Sequence, residues 1–147
     1  MTPGDRRFPK DARLLSPADF DRVYRHRRSA ADGALVMYGC PAASVGESPG
    51  PESVPARIGL SVSRRVGNAV VRNRWKRRLR EAFRVVRSRM PAGQDFIVVV
   101  RPARVPRGEE GADRIEGALL ALARRIVTRP GYAEASPSAG RPAPRRR

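Results

Sequence analysis

The apolar positions of the chain change period several times, and each change marks an element. Ser16-Pro17-Ala18-Asp19 reads as a helix start, with a serine cap, a proline in the first turn and an acid three residues after the cap. Phe20, Val23 and Tyr24 then fall at i, i+3 and i+4, the spacing of one helix face. Ala34–Cys40 is a strand candidate. Arg57–Ser63 alternates strictly, with Ile58, Leu60 and Val62 on one face and Gly59, Ser61 and Ser63 on the other. Asp95–Arg101 is continuously apolar between its charged ends, as expected of a strand covered on both sides. Glu109–Thr128 reads as a last helix, with Ile115, Leu119, Leu122 and Ile126 at spacings of four, three and four, although Gly111 and Gly117 disfavour it.

The longest helical pattern is Asn68–Met90. Asn68 can cap it and Pro91 stops it. Val71, Trp75, Leu79, Ala82, Phe83, Val86 and Met90 recur at three and four, an apolar arc of roughly 120°. Arg74, Lys76, Arg77, Arg80, Arg84 and Arg87 cover the other side. One face is built to pack on a sheet, and the other displays cations.

Charge changes this picture most. The chain carries 31 Lys+Arg against 14 Asp+Glu, a formal net of +17. Arg57–Met90 holds 12 of those bases and one acid, Glu81, whereas Ser29–Ala56 holds no base and three acids. Solvated helices normally interleave both signs, because like charges four residues apart repel by a few tenths of a kcal/mol. Arg72/Lys76 and Arg80/Arg84 are like-charged pairs at that spacing, which makes sense if a polyanion relieves the repulsion. All bases but Lys10 and Lys76 are arginine, whose planar fork pairs phosphate oxygens; a genome-wide preference for arginine would explain that ratio equally well, but not the net charge. Arg64-Arg65 and Gly67, just before the helix, have two readings. They form either a phosphate seat at a helix N-terminus or an ordinary loop.

Other classes fall away. No apolar run approaches the roughly 20 residues that cross a bilayer, so no membrane association is expected. Met1–Lys10 lacks the apolar centre of a secretory signal. Cys40 is the one cysteine, which excludes an internal disulfide and fits a reducing cytoplasm. With Cys40 and His26 alone, no Cys/His zinc set can be built. His26 sits among Arg25, Arg27 and Arg28, where a lowered pKa leaves it a poor acid. No clustered carboxylates suggest a metal-dependent active site, so the chain itself is expected to hold no catalytic residue and no metal ligand. Glu109, Glu110 and Asp113 complement the dipole of the last helix.

The stretch Arg57–Phe83, RIGLSVSRRVGNAVVRNRWKRRLREAF, closely resembles the signature of the bacterial ribonuclease P protein. Its centre is Arg72-Asn73-Arg74, followed by Lys76-Arg77 and Arg80 and preceded by GLSVS, two bases and GNAV in matching order. A lone RNR tripeptide would carry no weight; the composite over some 27 residues is specific. The resemblance extends to RLLSPADFDRVYRHRRS upstream and DFIVVVRP downstream, about Arg6–Val127 in all. It implies an α+β two-layer sandwich, a sheet of about four strands with three helices in the order α-β-β-β-α-β-α, and a left-handed crossover around the central helix.

The resemblance also implies a protein subunit that assists an endoribonuclease without cutting RNA itself. Its partners would be the catalytic RNA of ribonuclease P and precursor tRNA, with no protein partner required. No cofactor would be bound by the protein alone, magnesium being held mainly by RNA. Carried over by position, Arg64, Arg65, Asn68, Arg72, Asn73, Arg74, Lys76, Arg77 and Arg80 would meet the catalytic RNA. Phe20, Tyr24 and Tyr38 would line a cleft for the single-stranded 5′ leader, where aromatic faces stack on any base. For Phe20 and Tyr24 the residues alone favour ordinary core packing. A structural RNA-binding protein, such as a ribosomal protein, would share the charge and the α+β form but need no aromatic cleft; a DNA-binding protein is weaker still, without helix-turn-helix spacing.

Three features depart from the pattern. Trp75 stands where the family usually has a smaller aliphatic residue, which would hold the helix further from the sheet. The loop 41–55 is long, and the arginine-rich tail lies outside the motif. The domain expectation is an unstructured 1–9, one RNA-binding domain over 10–128 with a flexible 41–55, and a disordered basic tail from 129 to 147.

Overall fold

The computed structural model describes residues 13–14, 16–41, 55–102, 108–130 and 132. The expected unstructured 1–9, the expected loop 41–55 apart from its two end residues, and the expected tail 129–147 apart from 129, 130 and 132 lie outside them. Helix α1 (Pro17–Arg25) begins as its residues dictate: Ser16 Oγ accepts from the Ala18 amide at 3.1 Å, with Pro17 in the first turn. Strands β1 (Arg28–Asp32) and β2 (Leu35–Pro41) form a hairpin turned at Gly33, whose φ of +55° suits glycine. Strand β3 (Arg57–Val62) leads through a 3-10 turn at Arg64–Val66 into α2 (Ala69–Val86). A second 3-10 turn, Arg87–Arg89, continues α2 to Met90, next to the stopping Pro91. Strand β4 (Gln94–Val100) and α3 (Gly108–Val127) complete the chain.

The element order is therefore α-β-β-β-α-β-α, and the fold is α+β, as expected. The sheet order is β1-β2-β4-β3. β4 is central, antiparallel to β2 and parallel to β3, so α2 is the crossover between the two parallel neighbours. Burial of β4 on both faces matches its unbroken apolar run: Phe96, Val98 and Val100 join the large core, and Ile97 joins a smaller one across the sheet.

The large core lies between the sheet and the two long helices. Trp75, Leu79, Phe83 and Val86 from α2 meet Ile115, Leu119, Leu122 and Ile126 from α3 over Met37, Ile58, Phe96 and Val98. Trp75 is 1% exposed, so its bulk is absorbed wholly within this layer. Gly39 lies under α3; a Cβ there would come 2.9 Å from Ile126. Of the described helices, the second face of the sheet carries α1 alone. Leu14, Val23, Tyr24, Cys40 and Ile97 form its compact core, with Phe20, Tyr38 and Val99 half-buried at its margin. Residues 13–14 run beside the β3 edge, the Leu14 amide donating to the Ile58 carbonyl at 2.9 Å.

Of the tail expected from 129, residues 129, 130 and 132 are described. Tyr132 is buried, and its hydroxyl donates to Gln94 Oε1 at 2.6 Å. A single aromatic in a Pro/Gly/Arg-rich stretch is enough to fix the residues just after α3 to the domain.

Candidate nucleic-acid interface

Two halves of α2 explain each other. Its apolar arc is buried as the spacing requires, so its polar side chains must face outward: Arg74, Arg77, Arg80 and the neutral Asn73 are exposed, and Arg72 and Lys76 half-buried. The turn before it is held by three local devices. Gly67 adopts φ +155°, and a Cβ there would come 2.9 Å from the Val71 side chain. Asn68 caps the helix, its Oδ1 accepting from the Val71 amide at 3.0 Å. Arg72 Nε donates back to the Gly67 carbonyl at 3.2 Å. Arg72 therefore braces the turn on which exposed Arg64 and Arg65 stand. The acid at Glu81 neutralises only Arg84, at 2.7 Å.

The cationic face does not end at the helix. A cavity of about 400 Å³ runs along it, lined by Asn73, Lys76, Arg77, Arg80 and Arg13 among others. A second cavity, of about 170 Å³, is lined by Arg13, Leu14, Phe20, Gly59, Lys76 and Arg80 with Ile58 and Leu60. Arg13, Lys76 and Arg80 line both. The two cavities adjoin across the β3 edge, leading from the α2 cations to an aromatic ring. Arg64, Arg65, Asn68, Arg72 and Arg74 line neither and belong to the exposed N-terminal half of α2 and its turn. Arg13 was missed in the sequence; it becomes part of this surface only because residues 13–14 pair with β3.

The aromatic residues divide. Phe20 is half-buried and lies over Gly59, where a Cβ would approach its ring to 2.6 Å; the glycine of the GLS strand makes room for the ring. Tyr38 is half-buried, and Tyr24 packs edge-on against it with centroids 4.9 Å apart. Tyr24 is itself 3% exposed, so it backs the surface that Phe20 and Tyr38 present. On the same side of the sheet Asp95 is wholly buried. Arg57, its register partner on β3, grips it with two bonds of 2.8 and 2.7 Å, and Arg22 of α1 grips it from above. Arg22 also donates to the Pro41 carbonyl at 2.9 Å, and Asp19 lies 3.5 Å from Arg22 and 4.0 Å from Arg57. Burial opposes the charge on Arg22, yet Asp95 more than restores it and its pKa rises; for Arg57 the Asp95 bond is the main cause of the same rise. Burial pushes the Cys40 thiol up. This network ties α1 to the sheet, and no spacing in the sequence announced it.

His26 has a lowered pKa, as expected, but burial comes first among the causes, ahead of Arg28 and Arg22. The Tyr132 carbonyl 2.8 Å from Nε2 works against that fall. Among the described residues no group of three or more His, Cys, Asp or Glu is placed to hold a metal ion, and no helix is long and apolar enough to cross a membrane.

The family model described as Ribonuclease P matches residues 8–126. The chain belongs to the ribonuclease P protein family. A ribonuclease P protein component of Staphylococcus aureus (strain Mu3 / ATCC 700698) is 38% identical over 96 residues, 65% of this chain and 76% of that protein. One of Bacillus cereus (strain B4264) is 32% identical over 116 residues, covering 79% of this chain and 91% of its own. Among solved structures, a Staphylococcus aureus RNase P protein superposes with a TM-score of 0.55 at 31% identity, over 80% of this chain and 95% of that one. The RNase P protein of Thermotoga maritima shares the fold, with a TM-score of 0.58 at 24% identity over 78% and 96% of the two chains. Ribonuclease P is an endoribonuclease holoenzyme in tRNA processing, and this chain is a protein subunit of it with an RNA partner.

Proposed function

We propose that the outer face of α2 and its preceding turn seat the catalytic RNA of ribonuclease P, through Arg64, Arg65, Asn68, Arg72, Asn73, Arg74, Lys76, Arg77 and Arg80. The cleft between α1 and the sheet takes the single-stranded 5′ leader of precursor tRNA, with Phe20 and Tyr38 as stacking faces and Tyr24 behind them. One observation carries this reading: the α2 cations and the Phe20 ring line adjoining cavities that share Arg13, Lys76 and Arg80. A strand leaving the aromatic face thus meets phosphate-binding charge in the same cavity, where cations and stacking act together. Arg72 positions the turn rather than standing wholly outward.

The protein's part is to bind and orient. Hydrolysis of the phosphodiester 5′ of mature tRNA, leaving a 5′-phosphate, needs divalent metal, and the described residues do not suit one: no group of three or more His, Cys, Asp or Glu is placed to hold it, and Asp19 and Asp95 are both engaged by Arg22 and Arg57. Magnesium is therefore assigned mainly to the RNA, and no catalytic residue to the protein. The lone, buried Cys40 supports a cytoplasmic setting, and no further protein partner is required. The test is reconstitution: added to a ribonuclease P RNA at low magnesium, the chain should restore cleavage of precursor tRNA, and the pure chain should cleave nothing with any divalent metal. RNA-free cleavage, or no restoration, refutes the reading.

A further inference from the structure

Neither RNA surface accounts for the basic turn Arg25-His26-Arg27-Arg28. It runs from the last turn of α1 into β1, the edge strand at the far side of the sheet from β3. Two contacts bring the end of α3 to it: His26 Nε2 lies 2.8 Å from the Tyr132 carbonyl, and Arg125 donates to the Ala31 carbonyl at 3.2 Å. The stretches so joined, 22–31 and 117–132, contain no Asp or Glu; Asp21 and Asp32 flank the first and Glu116 precedes the second. Arg25, Arg27, Arg124, Arg125 and Arg129 are exposed and Arg28 half-buried. Arg27 holds its place at φ +57°, a conformation uncommon outside glycine and asparagine. The rings beneath face inward: His26, Tyr24 and Tyr132 are all buried. Among the described residues this edge offers charge with no aromatic face on which a base could stack.

We infer that the β1 edge is a second polyanion-binding surface that takes the sugar–phosphate backbone of base-paired RNA in the holoenzyme. The two edges of the sheet then differ in what they read. The β3 edge couples cations to a stacking ring, which suits a single strand. The β1 edge has cations alone, which position a duplex without reading its sequence. The inference rests on the chain's being a ribonuclease P subunit with an RNA partner, and not on the roles given to α2 or to Phe20. Two sources supply such a backbone, the RNA subunit and the body of precursor tRNA.

The test uses the full chain with Arg25→Gln, Arg27→Gly, Arg124→Gln and Arg129→Gln together. Arg125 and Arg28, which lie against the fold, are kept, and glycine suits the backbone at 27. Affinity is followed across a salt series for ribonuclease P RNA alone, for precursor tRNA on the assembled holoenzyme, for an unrelated duplex of equal length and for a leader-length single strand. Each lost phosphate contact should lower the slope of log K against log salt by about 0.9, so about two to four units in all. The arm in which the fall appears names the source, and the single-strand arm should not move. Unchanged slopes in both holoenzyme arms, or an equal fall on the single strand, overturn the inference; a fall on the unrelated duplex agrees with a surface that does not read sequence. Should the fourfold variant unfold on heating too early to assay, Arg124→Gln with Arg129→Gln carries the same test with about half the slope change.

Discussion

The two faces of the sheet are built on opposite plans. Beneath α2 and α3 the core is built of apolar side chains, from Trp75 and Phe83 to Leu119 and Ile126, and no cation of α2 enters it. Beneath α1 the interior is polar at its centre: Asp95 lies fully buried between two arginines, and of the rings on this face Phe20 and Tyr38 are only partly covered. The first plan gains stability from area removed from water. The second is a poor source of stability, since desolvating charges costs nearly what their attraction returns, but it holds α1 at a defined height above the sheet. The apolar face keeps the molecule folded, and the ionic face sets the shape of the cleft.

The largest expected effect tests the apolar side. Phe83→Ala should cost about 3–5 kcal/mol of stability, read by urea unfolding, while the salt slope of RNA binding by the still-folded fraction stays as it was. Asp95→Asn is expected next. It leaves Arg22 and Arg57 facing a neutral amide, and breaking such a pair costs about 3–5 kcal/mol when burial is complete; both arginines keep some solvent contact, which places the cost near the lower figure. Replacing all three, Asp95→Leu with Arg22→Met and Arg57→Met, should recover most of that stability without recovering the preference for precursor over mature tRNA. A triple variant that regains both would dissolve the distinction between the two faces.

A smaller effect isolates the cleft. Phe20→Ala should weaken precursor binding by roughly 1–3 kcal/mol for the lost stack and leave mature tRNA almost untouched. Gly59→Ala reaches the same end without deleting the ring, because the new methyl occupies the space 2.6 Å from it and the ring must swing away. Titration of the two substrates into the holoenzyme reads both. Equal losses for precursor and mature tRNA, in variants that unfold at the normal temperature, would return Phe20 to a packing role.

The apolar face was legible in the sequence for a simple reason: its periods are long and uninterrupted. The arc from Val71 to Met90, the cap at Asn68, and the α3 series Ile115 to Ile126 all lie where spacing put them. Ile58, Leu60 and Val62 share one face as alternation required. Strand β1 was not legible from its residues, because Arg-Ser-Ala-Ala-Asp has neither branched nor aromatic side chains; Asp32-Gly33 was the available hairpin signal. The ionic face was illegible because its parts are far apart in sequence. Asp95 meets Arg22 and Arg57 only once β4 lies between β2 and β3, and Arg13 joins the groove only through the β3 edge. Local pattern reports on residues within a few turns of each other, and the cleft is made by topology.

The smallest effect concerns the hinge between the two plans, His26, which sits where α1 turns into the sheet. Its Nε2 lies 2.8 Å from the Tyr132 carbonyl, a contact that requires the proton on that nitrogen. Nδ1 is buried without a hydrogen-bond partner among the described residues. Adding the second proton would place an unbonded N–H and a positive charge in a buried site beside Arg28 and Arg22, which is why the pKa lies below its ordinary 6.5. The sign of the linkage follows. Below 6.5 the unfolded chain takes up a proton that the folded chain refuses, so stability falls as pH drops from there until the folded ring also protonates, and above it the group contributes no slope. Unfolding free energy measured from neutral pH downward should show this loss in the wild-type chain. In His26→Gln, which keeps a donor for the Tyr132 carbonyl, that share of the slope should vanish while cleavage by the holoenzyme at neutral pH stays near normal. A variant with the same acid slope as wild type would place the proton elsewhere. One with normal stability but lost turnover would make His26 part of the chemistry that the proposed function assigns to RNA.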